Sequence, residues 1–358
     1  MRDFFAHKRV LVTGGTGSIG REIVAQLLRH RVEVVRVLSN DENGLFNMQM
    51  EFDDERLRYL LGDVRDDKRI RMATREIDLV FHAAALKHIP VGEYNPFELV
   101  QTNVMGTQNA VSAALDEEVE RFLLISSDKA VNPTSTLGAS KLLCEKLVVD
   151  AVAYRGYRRT RFACIRFGNV LDSRGSVLET FRRQIECAGP VTVTDPDMTR
   201  FAFGALEAVS CVLRAMVMMH GGEIFVPKMK AIRVVDLAHT MIEALSPIYG
   251  VDPARVGIRT TKVRPGEKMH EELMTSSETK RCFELEDMYV ILPDTFDVRG
   301  YEGERRPDVE EYTSKALAPM SKNQIVDLLK HLGTLQSQSL SRMKAASGLT
   351  KRKSSANQ

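Results

Sequence analysis

Thr13-Gly14-Gly15-Thr16-Gly17-Ser18-Ile19-Gly20 restricts the fold more than any other segment of this chain. It lies between the short apolar strand Lys8-Arg9-Val10-Leu11-Val12 and the amphipathic run Glu22 to Leu28. Glycines at 14, 17 and 20 provide a tight turn, a close backbone approach to a pyrophosphate and close helix-to-strand packing, with the phosphates on the helix amino terminus. Such a trio is weak evidence alone. After a strand, opening a helix and near the start of the chain, it is a dinucleotide-binding fingerprint, and Gly14, Thr16, Gly17, Ser18 and Ile19 are its expected contacts.

Apolar, strand-like runs at Val10, Val34, Leu57, Leu79, Phe122 and Phe162 alternate with helix-length segments. That alternation predicts an α/β fold, a Rossmann-type doubly wound parallel sheet covered on both faces. After Gly168-Asn169-Val170 the chain turns to loops and shorter elements rich in Arg, Asp, Gly and Pro, which predicts a smaller α/β substrate lobe. The expected division is a dinucleotide-binding domain over 1–170, a mainly substrate-binding lobe over 171–334 and a disordered basic tail over 335–358. A return to the sheet is expected at about 223–246, through Ile224-Phe225-Val226 and the helical Val234 to Leu245.

Composition narrows the class. A net charge of +2 over 358 residues gives no reason to invoke nucleic acid. The chain has no apolar run of about eighteen residues, and Met1-Arg2-Asp3-Phe4-Phe5 lacks a signal-peptide core, so a cytoplasmic location without membrane contact is expected. The cysteines, at 144, 164, 187, 211 and 282, have no paired spacing and read as buried reduced thiols; no metal site is expected.

The second strand, Val32 to Leu38, ends at Ser39-Asn40-Asp41-Glu42, where the adenosine ribose of a dinucleotide lies. An acidic side chain suits a ribose 2′-hydroxyl and an Arg suits a 2′-phosphate. Asp41 favours NAD, whereas Asn40 meets neither rule and leaves NADP open. Asp63 and Val64, after the strand Leu57 to Leu61, are the expected adenine cradle; capping of the next helix is the alternative role for Asp63.

The chemistry concentrates after Phe122-Leu123-Leu124-Ile125, an apolar run that reads as a buried parallel strand. Ser126-Ser127-Asp128-Lys129 follows it, then Leu137-Gly138-Ala139-Ser140-Lys141. Ligands of doubly wound sheets bind beyond the carboxyl ends of the strands, so these residues face the cleft. Leu137 and Lys141, four apart on a helix beginning near Gly138, share one face.

Several further motifs, in order, carry a resemblance to a known family. They are His82-Ala83-Ala84-Ala85-Leu86-Lys87-His88, Glu93-Tyr94-Asn95-Pro96, Thr102-Asn103, Ser127-Asp128-Lys129, Phe167-Gly168-Asn169-Val170, Ser173-Arg174-Gly175-Ser176-Val177, Met198-Thr199-Arg200-Phe201 and Arg264-Pro265-Gly266-Glu267-Lys268. With the glycine turn, the chain from about residue 4 to residue 330 resembles the extended short-chain dehydrogenase/reductase superfamily. Within it, it resembles the polysaccharide-biosynthesis dehydratases acting on UDP-N-acetylglucosamine. The resemblance implies a 4,6-dehydratase with NAD or NADP retained and recycled within turnover: oxidation at the sugar C4, loss of water across C5 and C6, and return of the hydride to C6.

It further implies cofactor contacts from Ala83, Ala84, Ala85 and Lys141, and assigns acid and base work at C6 and C5 to Asp128 and Lys129, with Ser127 beside them. Asp128 is expected to donate to the leaving oxygen, and Lys129, its pKa lowered by a cationic nicotinamide, to accept a proton. An ion pair in the resting site is the other reading. Arg174, Arg200 and Arg264 are expected on the UDP phosphates, or else in ion pairs. Glu267 is expected on the ribose, Asn169 at the phosphate or sugar end, and Lys87 near the sugar. Asn103 is expected to order Lys141 through water, and His82 and His88 are expected to be structural. A homo-oligomer built on helices near 97–117 and 138–154 is implied as well.

The departure is Leu137. Superfamily members generally carry Tyr four residues before the Lys, and its phenol takes the C4 hydroxyl proton. Leu has no proton to exchange, so Asp128, or Ser127 through a water, is the expected substitute. A nucleotide-sugar 4-epimerase shares the C4 oxidation but needs no acid and base at C5 and C6. A catalytically silent nucleotide-sugar-binding protein is the reading that Leu137 alone favours.

Overall fold

The computed structural model describes residues 3–294, 300–301 and 307–335, so the expected basic tail falls, from residue 336 onward, outside the described residues. Six strands are laid down in sequence: β1 (Arg9–Thr13), β2 (Val34–Ser39), β3 (Leu57–Leu61), β4 (Leu79–His82), β5 (Arg121–Ile125) and β6 (Arg161–Ile165). They are parallel, in the order β3-β2-β1-β4-β5-β6. Ile224–Pro227 adds a parallel strand beside β6, and Met288–Ile291 and Cys282–Glu284 complete a nine-stranded sheet antiparallel at that edge.

The continuous apolar runs are explained by burial on both faces. Alternate residues of one strand enter different cores: Val10 and Val12 join one and Leu11 the other, as do Leu123 and Ile125 against Phe122 and Leu124. Strand order reverses between β1 and β4, which opens a crevice beyond Thr13 and His82 where such sheets bind ligands.

Two helical stretches flank this crevice. Residues 96–116 run through helix Pro96–Leu99, a π-helical stretch at Val100–Met105 and helix Gly106–Asp116. The wider π turn contains Asn103, consistent with the tendency of such bulges to sit at functional sites. Helix Thr136–Tyr154 starts at Ser135, whose hydroxyl accepts from the Gly138 N–H at 3.1 Å.

The chain folds into two compact units that interleave along the sequence rather than meeting near residue 170. One comprises Met1–Arg174, Thr199–Ala231 and Arg264–Ala318; the other comprises Gly175–Met198, Ile232–Val263 and the segment from Pro319. Only the strand part of the expected return, Ile224–Pro227, joins the sheet. Helix Val234–Leu245 belongs to the second unit, where it buries Leu237, Met241 and Leu245 and packs with helices Val177–Glu186 and Lys322–His331. That unit also holds a parallel pair of strands, Val191–Val193 and Ile258–Thr260. Four cysteines are buried as expected, whereas Cys187 is exposed at the end of helix Val177–Glu186.

Beneath the loop after β5, Arg166 is buried to 1% side-chain exposure between two carboxylates. Its Nη2 lies 2.7 Å from Glu145 Oε2 and 3.0 Å from Glu278 Oε1, and its Nε donates to Glu145 Oε1 at 3.0 Å. Glu145 also accepts from the Ser126 hydroxyl, which ties the start of the loop to helix Thr136–Tyr154. Burial alone would raise the Glu278 carboxyl, but Arg166 prevails and holds it below its ordinary value of 4.5.

A lowered folded-state pKa means stability that is present above the unfolded value and lost as pH falls through the folded one. Replacing Arg166→Met should therefore lower stability by about 3–5 kcal/mol in urea unfolding at neutral pH, because two buried carboxylates lose their partner. It should also abolish the part of the native protein's acid sensitivity that sets in below roughly pH 4.5.

Candidate active site

The glycine turn is built by close approach. Gly14 has φ +64°, and a Cβ there would lie 2.7 Å from the backbone N and Cα of Ala84, so the turn and the segment after β4 touch with no side chain between them. The Gly17 N–H donates to the Gly14 carbonyl at 3.0 Å, and Gly17 starts helix Ser18–Leu27 without a side-chain cap. This cradle fits a pyrophosphate, which needs backbone N–H donors at a helix amino terminus and space where a Cβ would stand. Ile19 is part of the same first turn. Thr16 shares a 2.7 Å hydrogen bond with Ser39, linking the turn to the end of β2.

Asp41 is the N-cap of helix Glu42–Glu51, accepting from the Gly44 N–H at 2.9 Å. Asp63 does not cap the next helix; Asp66 does. Asp63 Oδ2 instead accepts from Asn40 Nδ2 at 3.1 Å and Arg65 Nη2 at 2.9 Å. Burial opposes ionisation of Asp63, but these bonds outweigh it and the pKa is lowered. Val64 is buried beside Gly106.

Ala83, Ala84 and Ala85 follow β4, held by Thr13: its carbonyl accepts from the Ala83 N–H at 3.2 Å and its hydroxyl from the Ala84 N–H at 3.3 Å. Asn103 is buried in the π turn beside this segment. Its side chain brackets Leu86, accepting from the N–H at 2.9 Å and donating to the carbonyl at 3.2 Å, and it also donates to Ser140 Oγ at 2.9 Å. His82 is fully buried between Thr13 and Thr107, its pKa pushed down to about 3 by burial and then by Lys141. It is a core residue. His88 starts helix Ile89–Tyr94.

The loop after β5 carries the charged centre. Asp128 is completely buried; its Oδ1 accepts from Lys129 Nζ at 2.8 Å and from Ser127 Oγ at 2.7 Å, while its Oδ2 is buried without a hydrogen-bond partner. A Cβ on Gly138 would lie 2.4 Å from the Lys129 carbonyl, so the absence of a side chain lets helix Thr136–Tyr154 begin against this loop. Leu137 is buried in its first turn. Lys141, one turn on, is buried and donates to the Ile125 carbonyl at 3.1 Å, and burial lowers its pKa.

Lys129 is ion-paired with Asp128. Burial favours the neutral amine, but the charges of Asp128 and Glu271 outweigh it, so the pKa is raised and Lys129 is held as an ammonium. Glu271, which the sequence reading missed, sits with its Oε1 3.9 Å from Lys129 Nζ and 3.7 Å from Arg200 Nε. Nothing in the Glu271-Glu272 doublet distinguishes it from a solvated pair except its position after Arg264-Pro265-Gly266-Glu267-Lys268.

The expected substrate residues divide. Arg200 lies in the charged centre, its Nη2 3.3 Å from Glu267 Oε1 and its Nη1 donating to the Thr199 and Met269 carbonyls. Arg264 is exposed and closes a turn with Glu267, whose N–H donates to the Arg264 carbonyl at 3.0 Å. Asn169, in strand Asn169–Val170, has its Oδ1 buried without a hydrogen-bond partner. Arg174 goes to the glycine turn instead: its Nη2 donates to the Thr16 carbonyl and its N–H to Ser18 Oγ at 3.0 Å. Lys87 Nζ donates to the Arg174 carbonyl at 3.0 Å, and burial, then Arg174, lowers its pKa. Among the described residues there is no cluster of metal-ligating type and no helix long and apolar enough to cross a membrane.

Comparison with known proteins adds relatives. The family model described as polysaccharide biosynthesis protein matches residues 10–293. A Methanocaldococcus jannaschii protein named an uncharacterized membrane protein is 48% identical, over 93% of this chain and 98% of its own. A Campylobacter jejuni UDP-N-acetylglucosamine 4,6-dehydratase (inverting) is 37% identical over 91% of this chain and 98% of its own. A Rickettsia massiliae protein named UDP-glucose 4-epimerase is 36% identical over 93% and 98%. Among solved structures, Pen from Bacillus thuringiensis superimposes with a TM-score of 0.88 at 40% identity, covering 93% of this chain and 100% of that one.

The glycine turn yields a direct test. Gly14→Ala combines a left-handed φ with a collision against the Ala84 backbone, so it should abolish retention of nicotinamide dinucleotide while the sheet still folds. Cofactor released on denaturing the purified variant, with circular dichroism as the control, reads both.

Proposed function

Since the chain belongs to the polysaccharide biosynthesis protein family, we propose that it is a nucleotide-sugar 4,6-dehydratase acting on UDP-N-acetylglucosamine. The observation that carries this reading is the ion pair of buried Asp128 with partly exposed Lys129 beyond β5, in the loop against which the helix bearing Leu137 and Lys141 begins. An acid and a base side by side are what loss of water across C5 and C6 requires, and 4-epimerisation does not. The name of the Campylobacter jejuni relative agrees.

A nicotinamide, when bound, supplies the hydride acceptor for C4 and gives the hydride back at C6. NAD and NADP both suit the reading: Asp41, the acid expected on the ribose, is committed to capping a helix, which weakens the argument for NAD. Gly14, Thr16, Gly17, Ser18 and Ile19 hold its pyrophosphate, Asp63 and Val64 its adenine, Ala83 to Ala85 its middle, and Lys141 its nicotinamide ribose.

Asp128, through the oxygen that lacks a partner, accepts the C4 hydroxyl proton in place of a phenol. Lys129, held as an ammonium, passes a proton to the departing C6 oxygen in the same concerted step in which its nitrogen takes the C5 proton. Protonated Asp128 returns its proton to C5. Two protons leave the sugar, one departs in water and one comes back, so the pair ends each cycle as it began. Lys129 keeps the acceptor role that the family resemblance implies and takes over from Asp128 the donation to the C6 oxygen. Arg200, Arg264 and Glu267 serve the nucleotide and Asn169 its sugar end; Arg174 and Lys87 close over the glycine turn.

The second reading, a 4-epimerase, is favoured by the name of the Rickettsia massiliae relative. Incubation with UDP-N-acetylglucosamine in deuterated water, followed by mass spectrometry and proton NMR, separates the two. The dehydratase should release one water and carry deuterium at C5 of a 4-keto-6-deoxy product. An unchanged mass with a new C4 epimer would mean epimerisation, and binding without any change would mean a silent nucleotide-sugar-binding protein.

A further inference from the structure

The charged centre has a third carboxylate that the mechanism above leaves without a task. Glu271 is nearly inaccessible, with 5% side-chain exposure. Its backbone is pinned on both sides by Ser314, whose Oγ accepts from the Glu271 N–H at 2.9 Å and whose N–H donates to the Glu271 carbonyl at 2.8 Å. The side chain therefore has little freedom to leave. Oε1 lies between Lys129 Nζ and Arg200 Nε, at 3.9 and 3.7 Å, and Oε2 is buried without a hydrogen-bond partner. Asp128 has the same arrangement, one oxygen on Lys129 and one buried without a partner. Lys129 is thus flanked by two carboxylates.

The charges around Glu271 are countable. Asp128, Glu267 and Glu271 face Lys129 and Arg200, three carboxylates against two cations when all are ionised. Lys268 also acts on Glu271 but lies 3.8 Å from Glu272. The neighbouring His270 shares its Nδ1 hydrogen bond with Thr199, whose hydroxyl also meets Ser314. Burial first, and the charge of Asp128 second, raise the Glu271 pKa, while Lys129 and Arg200 oppose that rise.

We infer that Glu271 is a positioning residue of the reaction centre, the fixed carboxylate that keeps the proton on Lys129 and holds Lys129 between itself and Asp128. Its bearing on catalysis rests on the dehydratase reading; its hold on Lys129 does not. In the sequence of proton transfers, an ionised Glu271 makes the Lys129 amine a stronger acceptor for the C5 proton, and a protonated one makes the ammonium a better donor to the C6 oxygen.

The test is a titration of Lys129 in the full-length protein with isotopically labelled lysine, the signal assigned by its loss in Lys129→Met. In Glu271→Gln, which keeps the shape and removes the charge, the Lys129 midpoint should fall by about one unit or more, as expected for loss of an opposite charge within 4–6 Å. Glu271→Asp keeps the charge and should retain most of the native midpoint, and it serves as the second probe should the Gln variant not fold. An unchanged midpoint in Glu271→Gln, or one that falls as far in Glu271→Asp, overturns the inference.

The readout needs no substrate, so it decides the question even where UDP-N-acetylglucosamine proves unreactive and the dehydratase reading falls. With an active enzyme, Glu271→Gln should slow water loss on the order of tenfold, one unit in the proton-transfer equilibrium, and Glu271→Asp should restore it. Undiminished water loss in Glu271→Gln would remove Glu271 from the reaction.

Discussion

Arg166 is the constraint on which the reaction centre rests. It stands just past the carboxyl end of β6, fully buried, and reaches Glu145 on helix Thr136–Tyr154 and Glu278 on the short helix Ser276–Thr279. Ser126, bound to the same Glu145, starts the loop that bears Asp128 and Lys129. Three segments far apart in sequence thus meet around one guanidinium, and the helix carrying Leu137 and Lys141 is fixed against the loop it serves. A buried cation of this kind costs several kcal/mol in desolvation, offset only by the bidentate geometry and the second carboxylate. That cost is understandable where position matters more than stability.

Above that anchor, proton chemistry is arranged without a phenol. Leu137 is a packed residue in the first turn of its helix, and the groups able to exchange protons lie in the neighbouring loop and in the segment before strand Glu272–Met274. Asp128 and Glu271 each have one oxygen on or near Lys129 and one buried without a partner. Unpartnered buried carboxylate oxygens are costly in a resting fold.

Much of the fold was legible because its signals are local. Each strand of a two-sided parallel sheet is a short apolar run, and the glycine turn declares its own geometry, so the parallel sheet and the place of its crevice follow from a few well-marked segments. The placement of Asp128, Lys129 and Lys141 near the end of one such strand was legible for the same reason. What was not legible depends on long-range meetings. Arg174 looks like a phosphate ligand in sequence, yet its loop brings it to Thr16. Glu271, which helps to raise the Lys129 pKa, lies far along the chain with no local mark. The two compact units interleave, which a division at one boundary cannot represent.

The central claim is that Asp128 does the work a Tyr at position 137 would do. The most direct measurement is a single turnover of cofactor-loaded protein mixed with UDP-N-acetylglucosamine, followed by the absorbance of reduced nicotinamide, in the native protein, Asp128→Asn and Leu137→Ala. The account predicts that reduction survives in Leu137→Ala and is lost in Asp128→Asn, with folding and cofactor content unchanged. Undisturbed reduction in Asp128→Asn would contradict it, and the acceptor of the C4 proton would have to be sought elsewhere in the site.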